Sequence, residues 1–480
     1  MNFDKDLAEF AVDFGSSHHV DYIEARLVSA RDESYSTRNG QILGAGITPS
    51  IGIGIRVLNK GGIGFTSTSN LTKNSIENAV NTAIKFANSN NRKSPINFSK
   101  EQTVHTKWSV STKIRFEDVP IEDKQKLLAQ IDAELKKEFG KDIPNRIILM
   151  NLNSEKKYIV NSDGSQIESE LYIPTLHTFN TAIGKNGTEQ RMLGRGGTAG
   201  WEWFSENYLL EEIIADNYAL VKAAKTAVNM DLGNIDVIVS SEVAGIMAHE
   251  NVGHPSESDR ILGREGAQAG ESFYLDLLKE GEIGKIKMGN PEVTIIDDPT
   301  LPGSSGFYLY DDECVKARPR ELIKKGMLNE LLLNREFAAR YNLQSNASAR
   351  AITYDREPIV RMANTYFKPG SFTLDEMVED IKKGMYMKSF TEWNIDDRRF
   401  QSKYVGLECY LIEDGKITDK MIRRPILELT TFGILGSVDA VSKDFNAPHG
   451  ICGKCDPMQG VPVWMGGGQV RMRNIKLGGN

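Results

Sequence analysis

Apolar and polar residues follow two different rhythms in the first half of the chain. Apolar residues recur every three or four positions, the spacing of one helix face, over residues 4–15, 75–88, 121–138 and 205–229. Short alternating or apolar runs between turn residues, typical of strands, cover 21–29, 33–37, 52–58, 64–67, 146–152, 157–162, 166–173 and 176–183. The pattern predicts an α+β fold in which the strands of this half pair as hairpins.

The second half has a different pattern, with one short apolar strand, one helix and then many short strands. Residues 236–240 form the strand, and Ser240 or Ser241 can cap the helix that follows. Further strands are predicted at 292–297, 306–311, 327–333, 405–413 and 426–433. Many short strands with regular turns predict a mostly-β, barrel-like domain. We therefore expect two domains, 1–230 and 231–480, with the second carrying a metal-binding helix.

Composition places the chain among ordinary soluble enzymes. Its 480 residues are too many for one core, and 40% hydrophobic and 26% charged residues are typical of globular proteins. A net charge of −7 argues against binding to nucleic acid. No apolar run approaches the roughly 20 residues of a membrane span. The first ten residues have neither a basic start nor an apolar core, so we expect no secretory signal and a cytoplasmic protein.

The helix of the second half carries the densest candidate chemistry, the motif His249-Glu250-x-x-x-His254. Imidazole is a preferred ligand of Zn²⁺, and a glutamate beside the first histidine is placed to take a proton from metal-bound water. Two of the seven histidines of the chain lie in this motif. The residues therefore predict a zinc site.

The spacing of the two histidines is one residue longer than in the H-E-x-x-H pattern of zinc proteases. On an ideal α-helix, residues five apart are separated by about 140° and face different directions. Either a π-type turn realigns the two side chains, or the helix ends before the second histidine. Because Gly253 and Pro255 flank His254, we expect His254 in a distorted last turn.

A catalytic zinc usually takes a third protein ligand and leaves the fourth position to water. His449, Cys452 and Cys455 form the densest downstream cluster, and the residues alone do not choose among them. Glu257 and Asp259 lie close to the helix, as ligands, as partners of a ligating histidine, or as solvated polar residues. A thiol redox role for Cys452 and Cys455 is a further alternative, although the βαβ setting of such motifs is not apparent.

Several ordered motifs resemble the TldD/PmbA (TldD/TldE) family of metalloproteases, and the resemblance covers nearly the whole chain. The matching motifs are Asp21-Tyr-x-Glu-x-Arg, Gly52-x-Gly-x-Arg-Val, Gly64-Phe-x-Ser-Thr, His249-Glu-x-x-Gly-His254 with Glu257-x-Asp259, Val293-Thr-x-x-Asp-Asp298, Asp311-Asp-Glu313, Arg361-Met-x-Asn-Thr-Tyr366, Gly450-x-Cys-Gly-Lys454 and Gln459-x-Val-Pro-Val463. The family has a zinc-bearing member and a related partner without the zinc motif. This chain resembles the zinc-bearing, TldD-like member.

The resemblance implies a site and an activity. His249, His254 and Cys452 would bind zinc, and Glu250 would be the catalytic base. The activity would be hydrolysis of short or unfolded peptides inside a dimer, with a second copy or with the related subunit that lacks the zinc motif. The alternative function is a non-catalytic zinc-containing binding or regulatory subunit. The chain departs from the family pattern at Cys314 and around Cys455, which leaves Cys455 as a rival ligand.

Two other motifs have open interpretations. The glycines of Gly52-Ile-Gly-Ile would either let an extended peptide add to the strand or serve tight packing. Arg361-Met-Ala-Asn-Thr would either line the substrate cleft or form a buried polar strand.

Overall fold

The computed structural model describes residues 4–89, 94–185, 187–265 and 270–478. The first half consists of long hairpins with helices packed on them. In chain order its elements are α1 Asp6–Ser16, β1 Tyr22–Arg38, β2 Gln41–Asn59, β3 Gly62–Thr68, α2 Lys73–Ser89, β4 His105–Ser109, α3 Ile121–Phe139, β5 Asn145–Asn161, β6 Gln166–Gly184, β7 Gly187–Gly196, α4 Trp203–Glu206 and α5 Leu209–Thr226. Short 3₁₀ turns lie at Phe116–Asp118 and Gly140–Asp142.

All strands of the first half form one seven-stranded sheet. Its order is β3-β2-β1-β5-β6-β4, with β7 pairing the far end of β6. The two faces of β5 differ, because Ile148, Met150 and Leu152 are buried while Leu149 and Asn151 on the opposite face are exposed. The buried side chains belong to a core that includes residues of α3 and α5. One face of the sheet therefore carries helices of the first half, and part of the other face is turned toward the second half.

The second half begins with a strand, a helix and two distorted turns. Its elements are β8 Asn234–Val239, α6 Ser241–Ala248, a π turn His249–Gly253, a 3₁₀ turn His254–Ser256, α7 Ser258–Ile261, α8 Tyr274–Glu280, β9 Ile295–Asp297, β10 Arg320–Lys324, β11 Met327–Leu328, α9 Arg335–Arg340, β12 Ala349–Arg350, β13 Ile359–Val360, β14 Asn364–Phe367, α10 Leu374–Val378, β15 Lys383–Met387, β16 Phe390–Ile395, β17 Gln401–Gly406, β18 Cys409–Glu413, β19 Lys416–Met421, β20 Ile426–Thr430, α11 Thr431–Ser437, β21 Val438–Val441, β22 His449–Lys454, β23 Gln459–Gly467 and β24 Val470–Gly478.

The strands of the second half form open sheets rather than a barrel. One sheet has nine strands in the order β16-β17-β20-β24-β8-β15-β18-β19, with β21 on β24, and another has six in the order β11-β10-β9-β14-β23-β22. β12 and β13 form a third, two-stranded sheet. Within the described residues the end strands of the nine-stranded sheet do not pair with each other, and neither do those of the six-stranded sheet. The mixed α and β composition is confirmed, whereas the barrel-like shape was wrong because regular short strands do not reveal closure.

Several predicted elements have different bounds in the structure. Strands 21–29 and 33–37 are one strand, as are 146–152 with 157–162 and 166–173 with 176–183. Residues 30–32 and 153–156 continue as strand because both neighbours in the sheet pair with them, and Pro174 and Thr175 continue because β5 pairs with them. The helix predicted at 205–229 is broken at Tyr208, which has a φ of 43°. The strand predicted at 426–433 ends at Thr430, and residues 431–437 form α11, which Thr430 caps.

Charged side chains join the two halves. Arg56 of β2 binds Glu313 at 2.8 Å, and Lys157 of β5 binds Asp312 at 2.8 Å. Both ion pairs are largely buried. Among the described residues, no helix is long and apolar enough to cross a membrane.

Candidate metal centre

The π turn after α6 brings His249 and His254 side by side. A π turn holds one residue more than an α turn, which removes the angular mismatch of a five-residue spacing. The two rings lie edge to face with their centroids 4.8 Å apart. The predicted distorted last turn is therefore confirmed, and Ser240 caps α6 at its start by accepting from the N–H of Val243.

Gly253 and Pro255, which flank His254, do not force the unusual backbone angles that the sequence predicts. His254 keeps α-helical angles, φ −61° and ψ −43°, although Pro255 follows it. Gly253 has an ordinary φ of −58°. A Cβ at Gly253 would lie 2.0 Å from the sulfur of Met362. The glycine is thus required by close packing, and not by an unusual backbone angle.

Cys452 reaches the two histidines from the strand β22. Its Sγ lies 3.6 Å from His254 Nε2, and one ligand atom from each of His249, His254 and Cys452 lies within 4.8 Å of the others. A tetrahedral zinc, with Zn–N of about 2.0–2.1 Å and Zn–S of about 2.3 Å, holds such atoms roughly 3.5 Å apart. Two imidazoles and one thiol are a donor set that fits zinc, and the 3.6 Å between Sγ and Nε2 is close to this spacing.

The charge states of these groups also suit a metal. Burial would raise the pKa of the Cys452 thiol, but the nearby charges of His254 and Arg361 lower it to about 7. Burial lowers the pKa of His249, which keeps its imidazole neutral. Metal ligands must be thiolate and neutral imidazole. In addition, His249 Nδ1 is buried and has no hydrogen-bond partner in the described part of the chain.

The other two downstream candidates lie apart from this cluster. Side chains alternate along β22, so His449 points to the opposite face from Cys452. There His449 Nδ1 lies 2.8 Å from Ser305 Oγ. Cys455 follows the strand, and its Sγ contacts Glu265 at 3.4 Å. Burial, together with Glu265, raises the pKa of the Cys455 thiol to about 11, which disfavours the thiolate that a metal needs.

Glu257 lies behind His254 and fixes the orientation of its ring. Its Oε2 is 2.9 Å from His254 Nδ1, which leaves Nε2 directed toward Cys452. Arg260 donates to the same oxygen at 2.5 Å, and Lys454 lies 3.4 Å away. Burial would raise the pKa of Glu257, but Lys454, Arg260 and His254 outweigh it and lower the pKa well below its ordinary value. Glu257 is thus an ionised partner of His254 and lies outside the ligand cluster.

Asp259 and Lys454 complete the buried charges around Glu257. Lys454 donates to Asp259 at 2.7 Å and to the carbonyl of Val360 at 2.7 Å. Lys454 follows Cys452 by two positions and so lies on the same face of β22. Its role could not be read from the sequence, because nothing local links it to Glu257.

Glu250 is held by two side chains from far along the chain. Arg399 Nη1 lies 2.5 Å from its Oε2, and Trp393 Nε1 donates to its Oε1 at 3.3 Å. Burial would raise the pKa of Glu250, but its interactions with His254, His249 and Arg399 lower it. The carboxylate is therefore ionised and able to accept a proton. Sequence reasoning missed Arg399 and Trp393, since the intervening strands carry no signal that they return to α6.

The two motifs with open interpretations have structural roles. Arg361 is fully buried and donates to the carbonyls of Gln459, at 2.7 Å, and of Cys452. It therefore fixes the strand pair β22–β23 that presents Cys452. A Cβ at Gly52 would overlap the ring of Tyr354, and a Cβ at Gly54 the Tyr354 carbonyl. These glycines serve close packing.

Family models match almost the whole chain. The PmbA/TldA metallopeptidase C-terminal domain matches residues 232–479, the central domain 114–231 and domain 1 residues 23–87. A metalloprotease of Methanocaldococcus jannaschii is 32% identical over 454 residues, which cover 94% of this chain and 96% of the relative. A zinc metalloprotease TldD homolog of Saccharolobus solfataricus is 32% identical over 250 residues, 52% of each chain.

Solved structures share the fold at low sequence identity. TldE from Thermococcus kodakarensis has a TM-score of 0.74 and 17% identity, with 99% of each chain covered. A putative modulator of a DNA gyrase from Thermotoga maritima has a TM-score of 0.77 and 16% identity, with 99% of this chain and all of the other covered.

Proposed function

The chain belongs to the PmbA/TldA metallopeptidase family, and from this premise we propose that it is a zinc-dependent metallopeptidase acting on short or unfolded peptides. The observation that carries the proposal is the convergence of His249, His254 and Cys452, with their ligand atoms within 4.8 Å, beside the ionised Glu250. A structural zinc site would use four protein ligands and needs no base. The name of the Saccharolobus relative supports zinc as the metal.

In the proposed mechanism, His249, His254 and Cys452 hold the zinc. When bound, zinc would lower the pKa of a water molecule and polarise the carbonyl of the scissile bond. Glu250 accepts the proton of the attacking water and then delivers it to the leaving amine. Arg399 and Trp393 hold the Glu250 carboxylate in place through one oxygen each. Glu257 keeps the Nε2 of His254 turned toward the ligand cluster.

The burial of the site supports the proposed substrate class. His249, Glu250, His254 and Cys452 are each at most 7% exposed. A folded protein surface cannot reach such groups, whereas an extended chain is narrow enough to enter. We further propose that the enzyme pairs with a second copy or with a related subunit that lacks the zinc motif. The shared fold of TldE supports a subunit of this second kind.

The test combines metal analysis with a cleavage assay. Purified protein should contain about one zinc per chain, cleave an unfolded peptide, and lose cleavage with chelator. Glu250→Gln should retain zinc and lose turnover, with exposed Glu292→Gln as the matched control. If Glu250→Gln cleaves at the wild-type rate, Glu250 is not the base; if zinc-loaded wild-type protein does not cleave the peptide, the non-catalytic zinc subunit becomes the better assignment. Light scattering at micromolar concentration tests the pairing, and an active monomer would contradict it.

A further inference from the structure

A long cleft lies between the sheet of the first half and the second half, away from the metal ligands. Its volume is about 530 Å³. The floor is the central strand pair β5–β6, from the cross-strand partners Ile159 and Ile167 at one end to Asn151 and Thr175 at the other. At about 3.3 Å per residue, the stretch of β6 from Ile167 to Thr175 is roughly 27 Å long. The cleft is therefore elongated along the strands.

One end of the cleft reaches the strand that carries Cys452. Ile451 of β22 lines the cleft and is 56% exposed. Because neighbouring side chains on a strand point to opposite faces, the thiol of Cys452 lies on the other face of β22. The cleft and the metal ligands therefore lie on opposite faces of β22, which is the end strand of its sheet, so that a peptide passing around this strand reaches both.

The other end of the cleft holds an unsatisfied hydrogen-bond donor. Trp108 of β4 lines the cleft, is 9% exposed and packs edge to face on Phe307. Its Nε1 is buried and has no hydrogen-bond partner in the described part of the chain. Buried indole N–H groups usually have a partner. A ligand that brings an acceptor to this point would satisfy the donor.

The charged side chains of the cleft argue against an anionic ligand, because acidic residues outnumber basic ones among those that line it. Lys157 of the floor binds Asp312 of the opposite wall at 2.8 Å and Glu155 at 3.1 Å. The positive charge of Lys157 is therefore neutralised by carboxylates of the same cleft, and Lys157 does not select an anionic ligand. Long shape, mixed apolar and polar walls and a free donor match a peptide backbone better than a phosphate or a nucleotide.

We propose that this cleft binds an extended segment of the peptide substrate, several residues away from the bond that is cut, with Trp108 donating to a backbone carbonyl. A volume of this size lies in the range of ligand pockets and holds about three to five residues. This assignment rests on the proposed peptidase function. It adds a second recognition site, so that the length of a peptide, rather than its side chains, decides how well the peptide binds.

The first experiment measures binding without catalysis. Zinc-loaded Glu250→Gln protein is titrated with an unstructured peptide of about ten residues, long enough to follow β6, with both ends blocked and a fluorescent label. Trp108→Phe in the same background keeps the ring and removes the donor, and should weaken binding about threefold to tenfold. Trp201→Phe, which changes a tryptophan outside the cleft, should bind like the parent.

The second experiment fills the cleft. Ser169, opposite Lys157 on the floor, is replaced by Trp. In active enzyme the variant should raise KM for the long peptide about tenfold or more, and leave kcat and the KM of a blocked tetrapeptide within about twofold, because only the long peptide spans both sites. Ser36→Trp, on the same sheet outside the cleft, is the matched control.

The outcomes separate this proposal from the proposed activity. If the protein binds peptide in a way that depends on Trp108 but has no peptidase activity, the proposed peptide-binding role of the cleft stands and the proposed peptidase activity is refuted. Unchanged long-peptide affinity in both Trp108→Phe and folded Ser169→Trp overturns the cleft assignment and leaves the enzyme intact. If Ser169→Trp does not fold, the Trp108→Phe titration decides.

Discussion

Two histidine pairs lie at the two faces of β22, and only one of them has the surroundings of a metal centre. His249 and His254 have ring centroids 4.8 Å apart, and His177 and His449 have centroids 5.3 Å apart, both in edge-to-face arrangements. Burial lowers the pKa of His249 and of His177, and it lowers the pKa of His449 to about 3, with the interactions of His449 with His177 and Arg195 acting in the same direction. Paired rings and neutral imidazoles therefore do not by themselves distinguish a metal site.

The neighbours of each pair make the difference. His254 has the carboxylate of Glu257 on one nitrogen and the thiol of Cys452 near the other. His449 has the hydroxyl of Ser305 on Nδ1, while its buried Nε2 has no hydrogen-bond partner among the described residues. A hydroxyl is a weak ligand for zinc and does not orient an imidazole as a carboxylate does. The comparison indicates that the third donor and the acid behind the ring define the site.

Removal of a ligand from the first pair should have the largest effect. His249→Ala, His254→Ala or Cys452→Ser should reduce zinc from about one per chain to a small fraction of that, because two remaining ligands hold the ion poorly. His449→Ala removes an equally buried imidazole from the second pair and should leave zinc content unchanged. Elemental analysis of folded, gel-filtered protein gives the comparison.

The cysteines provide an independent check of the same assignment. Cys455→Ser should retain zinc, because Cys455 contacts Glu265 and lies outside the cluster. Loss of zinc in Cys455→Ser together with retention of zinc in Cys452→Ser would mean that Cys455, and not Cys452, is the third ligand. Loss of zinc in His449→Ala would make the second pair part of the site.

Turnover should depend on Glu250 nearly as strongly. Glu250→Gln keeps the size of the side chain and removes its ability to accept a proton, so kcat should fall about 10²–10⁴-fold. Zinc content should stay at the wild-type level, which separates loss of the base from loss of the metal. A Ser305→Ala variant at the second pair should leave kcat unchanged. Equal losses of kcat in both variants would remove the distinction between the two pairs.

The sequence predicted the first pair and could not predict the second. His249 and His254 are five residues apart, so their spacing and the need for a distorted turn are visible in the chain itself. Cys452 required the family resemblance, because only the position of β22 separates the three candidates: it places His449 and Cys452 on opposite faces and ends before Cys455. His177 and His449 lie in different sheets and, like Arg399 and Glu250, meet through packing between distant segments that leaves no local pattern. The division at residue 230 stays a prediction.

Removal of the acid behind His254 should have an intermediate effect. Glu257→Gln weakens the orientation of the ring, and loss of such a partner typically costs about 10–100-fold in metal affinity. Competition with a zinc-binding dye measures this affinity. The control is Glu292→Gln at an exposed position. Zinc affinity equal to the wild type would mean that Arg260 and Lys454 hold the site together without Glu257.

His449 of the second pair should make the folding stability depend slightly on pH. The pKa of His449 is about 3 in the folded chain, below the ordinary value of 6.5. As the pH falls through about 6.5, the unfolded chain takes up a proton that the folded chain refuses, so folding stability declines. Between roughly pH 7 and pH 5.5 this contributes about 1 kcal/mol.

His449→Gln should remove that share of the decline, whereas exposed His105→Gln should not. Denaturant unfolding at the two pH values measures the difference, and metal-ligand protonation cancels because both variants retain His249 and His254. An unchanged pH dependence in His449→Gln would mean that His449 is protonated alike in the folded and unfolded chains, and the second pair would then differ from the first in charge as well as in its neighbours.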